Sequence, residues 1–266
     1  MFDINQLPVK ISKRLNGLKY KTEKIGMSGA DIFVFDDKVL KIENTCPESD
    51  RESAVISWLN NKLPVPHIIE FDKSNGKNFL LMSKLEGEMA CSENNMNSVE
   101  NMVKALADGL KMLWNIDIKG CPFQSRLESR LIDAKYNIEH HLVDVDDAEE
   151  ETFGENGFKD VKSLYDFLIT HKPEEDLVFT HGDYCLPNVF MQNDTVTGFL
   201  DLGKAGIADR WQDIALCIRS LKHNICDYYG KSESDFEEAK EFLYSQLGIT
   251  EDKQKLGYYI LLDELF

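Results

Sequence analysis

The stretch HGDYCLPN, residues 181 to 188, ends one apolar run, LVFT, and leads into another, VFMQN. Its spacing, H-x-D-x-x-x-x-N, lets Asp183 accept or orient the proton of an incoming hydroxyl while Asn188 offers a hard oxygen to Mg²⁺. Farther along, DLG (201 to 203) follows the strand-like TGFL and supplies Asp201 as a second, bridging oxygen ligand. Lys41, within VLKI, can pair with the α and β phosphates of a nucleotide, and Glu52 in the next helical segment can hold that lysine in place. The loop GMSGAD (26 to 31) is neither G-x-G-x-x-G nor a Walker A sequence, yet Met27, Ser28 and Gly29 at its tip can bring backbone N–H groups close to phosphate. Each feature alone has a plainer reading: a Gly-Asp turn, a surface ion, a hairpin tip. Together they occur once each and in the order that γ-phosphoryl transfer to an alcohol requires: phosphate cover, cation, metal-holding oxygens and proton acceptor. His181 is read as a brace for this loop and not as an acid or base.

These residues need elements to carry them. YKTEKIG, ADIFVFD and KVLKIE alternate apolar and polar residues with period two, and Asp36-Asp37 marks a tight turn, so an antiparallel meander is expected. PESDRESAVISWLNNKL begins with proline and acids and carries Ala54, Val55, Trp58 and Leu59 on one stripe, which predicts a helix ending before Pro64. HIIEFD and NFLLMSKL read as two more strands around Ser74-Asn75-Gly76. From about residue 95 the period becomes helical, with Met102, Leu106, Leu110 and Leu113 on one face and further helices expected at 126–142, 160–171, 209–226, 234–246 and 251–262. LVFT, NVFMQ and TGFLDLG form a strand-rich island among them. The expected fold is α+β and two-lobed, like a protein kinase, with a small antiparallel-sheet nucleotide lobe over 1–88 and a larger, mainly helical lobe over 89–266.

Composition bounds the partners. With 30 Lys+Arg against 47 Asp+Glu the formal charge is −17, which disfavours nucleic acid and anionic lipid and favours cationic ligands. Six cysteines are scattered without a C-x-x-C pair, as reduced thiols of a cytoplasmic protein would be. The N-terminus lacks the apolar stretch of a signal peptide, and no segment approaches the roughly 20 apolar residues that span a bilayer. A monomer or weak dimer is expected.

With HGDYCLPN, DLGKAG, LPVP (63 to 66), DRWQDIALCIRS (209 to 220) and the final YYILLDELF in view, the sequence resembles the aminoglycoside 3′-phosphotransferases from about residue 20 onward. The resemblance implies a kinase-like fold, ATP or alternatively GTP as donor, Mg²⁺, and phosphorylation of a hydroxyl, the 3′, on a cationic aminoglycoside antibiotic, conferring resistance. It implies that Asp183 is the base, Asn188 and Asp201 the metal ligands, and Lys41 and Glu52 the nucleotide pair. It further implies that Asp263, Glu264, the Phe266 carboxylate and Arg219 line the drug site. The acidic loop 144–156 can add to that site, with Glu151 as its candidate contact. His223 and Asn224 stand where relatives have acids, which bears on drug range. The other readings are a small-alcohol kinase, acting on choline or homoserine, and a catalytically silent nucleotide- or drug-binding protein.

Overall fold

The period-two segments form one sheet whose register decides which face each functional side chain takes. The computed structural model describes residues 7–23, 29–146, 148–149, 151–154 and 157–266. After a short helix α1 (Val9–Leu15) come β1 (Lys21–Glu23), β2 (Asp31–Val34), β3 (Lys38–Asn44), helix α2 (Pro47–Leu59), β4 (Ile68–Ser74) and β5 (Lys77–Ser83). The strands pair antiparallel in the order β1-β2-β3-β5-β4. Asn75 and Gly76, with φ of 52° and 72°, make the two-residue β4–β5 turn; positive φ at both positions matches the right-handed twist of the strands.

Both faces of this sheet are covered. Leu40, Ile42, Phe79 and Leu81 pack with Ile11 and Leu15 of α1 in one cluster, whereas Leu80 and Met82 join Val55, Ile56 and Leu59 of α2 in the other. Lys41 lies between Leu40 and Ile42 and opposite Leu80, so alternation turns it to the α2 face. Helix α1 was not anticipated from the sequence, which reads the first ninety residues mainly as strands. At the start of α2, Pro47 occupies the first turn and Cys46 and Ser49 exchange the reciprocal bonds of a capping box.

The second half is built on helix α4 (Val99–Trp114), preceded by β6 (Glu88–Met89) and α3 (Glu93–Met96). Met102, Leu106, Leu110 and Leu113 are fully buried, as their spacing predicts. Then follow α5 (Leu127–Glu139), α6 (Val161–Thr170), β7 (Leu177–Thr180), β8 (Val189–Gln192), β9 (Thr195–Phe199), β10 (Gly206–Asp209), α7 (Arg210–Lys222), α8 (Glu233–Leu247) and α9 (Lys253–Asp263). The island comprises two small sheets, β6-β8-β9 and the antiparallel pair β10-β7. The expected helix 209–226 ends at Lys222 and continues as a π-helical turn, His223–Tyr228, in which Tyr229 N–H reaches the Asn224 carbonyl at 3.0 Å. No helix among the described residues is long and apolar enough to cross a membrane.

One glycine fixes the island against α4. A Cβ at Gly109 would overlap the Tyr184 hydroxyl and crowd Val196 and Phe199. Tyr184 cannot yield, because it is fully buried and its hydroxyl donates to the Leu106 carbonyl at 2.8 Å. Alanine favours helix, yet Gly109→Ala should lower unfolding free energy by about 1–3 kcal/mol, the overpacking cost exceeding the gain in propensity. Denaturant unfolding of the two proteins measures it.

Candidate active site

On β3 the ammonium of Lys41 is enclosed by three carboxylates. Its Nζ lies 3.0 Å from Glu52 Oε2 on α2, 2.6 Å from Asp201 Oδ1 and 3.4 Å from Glu43 Oε2, two residues along the same strand face. Lys41 and Glu52 are 7% and 3% exposed, so neither charge could stand there alone. Burial disfavours the ammonium, but Glu52, Asp201 and Glu43 outweigh it and raise its pKa above the usual lysine range. Burial likewise pushes Glu52 upward, with Lys41 pulling it back.

The loop after β7 is held by its own backbone. Gly182 has φ of 85°, and a Cβ there would overlap the Lys204 carbonyl. The N–H groups of His181 and Gly182 donate to Asp213 Oδ2 and Oδ1 at 2.7 and 2.8 Å. Gln212 Nε2 donates to the Gly182 carbonyl at 3.2 Å. Asp213 is fully buried on α7; burial raises its pKa to about 7 against the two N–H groups that favour its charge. Within DRWQDIALCIRS nothing sets Asp213 apart from the other polar residues of this helix.

Asp183 sits just beyond. Asn188 Nδ2 donates to the Asp183 carbonyl at 3.0 Å and to its Oδ2 at 3.1 Å. Asp183 N–H donates to His181 Nδ1 at 3.3 Å, and burial lowers the His181 pKa, which keeps the ring neutral and able to accept that bond. Leu200 N–H donates to the Asn188 carbonyl at 2.9 Å, which brings the following residue, Asp201, beside this loop. Asp201 is left-handed at φ 53°, a conformation aspartate tolerates better than most residues. Strand, helix, loop and island turn thus bring Lys41, Glu52, Asp183, Asn188 and Asp201 to one region.

A second cluster lies at the end of α9. Asp263 accepts from Arg219 and, at 3.3 Å, from Arg130 of α5. Burial opposes its charge, yet Arg219 and Arg130 hold its carboxyl below the ordinary aspartate value. Glu264 Oε1 is 3.6 Å from Arg219, and Glu264 Oε2 accepts from Glu149 N–H at 3.3 Å. Burial pushes Glu264 up to about 7. Leu265 is fully buried, Asn137 Nδ2 donates to its carbonyl at 2.9 Å, and the Arg130 guanidinium lies 4.1 Å from the centre of the Phe266 ring. Sequence reading missed Arg130 and Asn137, whose helical spacing gives no sign of this long-range use.

The remaining candidates are placed less closely. Gly29 is exposed with φ 65°, and Met27 and Ser28 lie outside the described residues. Glu151 is exposed, and the acidic loop reaches the C-terminal acids through Glu149.

Comparisons with known proteins identify the family. Residues 28–242 match the family model described as phosphotransferase enzyme family. The chain is 39% identical to an aminoglycoside 3′-phosphotransferase of Enterococcus faecalis, over 97% of this chain and 99% of that one. It is 41% identical to an aminoglycoside 3′-phosphotransferase of Niallia circulans, over 81% of this chain and 78% of that one. Among solved structures, an aminoglycoside-3′-phosphotransferase of type VIII superposes with a TM-score of 0.82 at 26% identity, covering 97% of each chain. In sequence and fold, this chain belongs to the phosphotransferase enzyme family, within the aminoglycoside 3′-phosphotransferases.

Proposed function

We propose that this protein transfers the γ-phosphoryl group of ATP to the 3′-hydroxyl of an aminoglycoside antibiotic, which gives resistance to the drug. The observation that carries the reading is the convergence of Asp183, Asn188, Asp201 and the Lys41–Glu52 pair in a member of this family. Asn188 commits its side-chain Nδ2 to Asp183, which leaves its side-chain Oδ1 for a cation, and Asp201 keeps Oδ2 when Oδ1 is on Lys41. This hard-oxygen pair fits Mg²⁺. When bound, Mg²⁺ neutralises charge on the β and γ phosphates. Lys41 holds the α and β phosphates, and Glu52 keeps its ammonium in place. Asp183 takes the proton of the acceptor hydroxyl as that oxygen bonds to the γ-phosphorus and the β–γ bridging bond breaks, releasing ADP.

The α9 cluster supports a polyamine over other alcohols. Glu264 Oε1 is buried and has no hydrogen-bond donor among the described residues, so it can accept one from a drug ammonium. Asp263 is already committed to Arg130 and Arg219, and its part is to hold Arg219 beside Glu264. The Phe266 ring is covered by Arg130, which speaks against an open aromatic cage for choline. Phosphate transfer assayed on aminoglycosides, choline and homoserine tests the reading; transfer to choline or homoserine alone would overturn it.

Two substitutions test the assigned roles. Asp183→Asn should lower kcat on the order of 10²- to 10⁴-fold with ATP affinity little changed, since it removes a proton acceptor and no phosphate contact. Steady-state kinetics with ATP-binding calorimetry measures both. Glu264→Gln should weaken drug binding by about 1.5–3 kcal/mol and leave ATP affinity unchanged. Its effect on stability has a definite sign with pH. Burial raises the Glu264 pKa from 4.5 to about 7, so the folded chain binds this proton more tightly than the unfolded one. Wild type should therefore lose stability relative to Glu264→Gln as pH rises from about 4.5 to about 7, by on the order of 1–3 kcal/mol, measured by thermal melts across that range.

A further inference from the structure

Asp183 has a partner that phosphoryl transfer does not itself require. The Cys185 thiol donates to Asp183 Oδ1 at 3.1 Å while Asn188 Nδ2 donates to Oδ2 at 3.1 Å, so each carboxylate oxygen carries one protein donor. An ionised carboxylate has roughly four lone-pair sites, and two remain for the incoming hydroxyl. The terminal torsion of an aspartate is broad and weakly restrained by its own rotamer preference, so a carboxylate held at one oxygen can still swing. Held at both, it cannot.

The local chain is shaped for this contact. Cys185 N–H donates to the Asp183 carbonyl at 2.9 Å, a tight turn that returns the sulfur toward the carboxylate two residues back. The next acceptor near the sulfur, the Leu216 carbonyl, is at 4.0 Å, so the single S–H proton goes to Asp183. Burial first, and the neighbouring Asp183 charge second, raise the thiol pKa well above its ordinary value, which keeps the proton on sulfur. Arg219 and Asp263 also act electrostatically on this thiol. Cys185 thus touches the base and lies within electrostatic reach of the charged cluster at the end of α9.

We propose that Cys185 is a positioning residue whose S–H···Oδ1 bond, with the Asn188 bond at Oδ2, fixes the rotation of the Asp183 carboxylate so that its free lone pairs face the acceptor hydroxyl. This inference rests on the reading of Asp183 as the base. The bond orients a group that is itself in contact with the reacting atoms, so its loss falls on the chemical step and spares both substrates' binding.

The test compares wild type, Cys185→Ala, Cys185→Ser and Asp183→Asn in the full chain, reading kcat, KM for ATP, KM for the aminoglycoside, and melting temperature. Cys185→Ala should lose about tenfold in kcat, as expected of a base left slightly misaligned, with both KM values within about twofold of wild type. Cys185→Ser, which keeps a donor at the same place, should recover kcat to within about threefold of wild type. A packing role predicts the opposite order, because serine loses the same sulfur and adds a polar group to a buried position. Full kcat in Cys185→Ala, equal losses in both variants, or a loss carried by KM or melting temperature would overturn the proposal. Asp183→Asn separates the two levels: if it retains turnover, the base assignment fails; if it is inactive while Cys185→Ala is not impaired, only the positioning role fails.

Discussion

Burial at Lys41 would remove the ammonium's charge were it not for the carboxylates that surround it. Glu52, Asp201 and Glu43 come from a helix, an island turn and the same strand, so satisfying this one cation fixes how those elements meet. The rest of the contact follows. Backbone approach between α2 and the turn after Asp201 is close enough that a Cβ at Gly203 would lie 2.8 Å from the Glu48 carbonyl. Arg51, beside Glu52, donates to the Ala205 carbonyl at 2.6 Å and to Ser125 Oγ at 3.2 Å. A buried ion is a poor way to gain stability, since a well-packed apolar group in its place is often as stable. On the proposed function its retention makes sense: the bond from Lys41 to Asp201 would join the nucleotide cation to the metal ligand, and bound phosphate and Mg²⁺ would give each partner a replacement.

A second constraint works on the backbone. Asp213 receives two consecutive N–H groups of the loop after β7, where no strand partner satisfies them, and so sets the path that leads into Asp183. Side chains of the loop are oriented from this fixed frame: His181 accepts from the Asp183 N–H, and Asn188 holds one oxygen of its carboxylate. The position of Asp183 thus depends on a buried carboxylate of α7.

The residues proposed for the reaction were legible because they sit within short contiguous runs, HGDYCLPN, DLG and VLKI, whose types and order are specific. The strands and long helices were legible from period, Leu106 and Leu110 on α4 being examples. What escaped depends on distant partners. Helix α1 has only Ile11 and Leu15 buried and no side-chain cap, too little pattern to mark a helix of one and a half to two turns. Asp213 and Arg130 look like ordinary helical polar residues until the fold supplies backbone N–H groups to one and Asp263 to the other. The break at His223 has no proline or glycine to announce it, and charge alone does not show that the backbone of Glu149 meets Glu264.

The central claim is that the proton acceptor, the nucleotide cation and the α9 acids serve one reaction on one hydroxyl of a polyamine sugar. The most direct measurement is to incubate the protein with ATP, Mg²⁺ and an aminoglycoside bearing several free hydroxyls, and locate the phosphate by phosphorus–proton correlation NMR. The account predicts a single product with phosphate coupled to the proton on the 3′ carbon, and no product from the 3′-deoxy analogue. Phosphate on another position, or turnover that persists with the 3′-deoxy analogue, would contradict it.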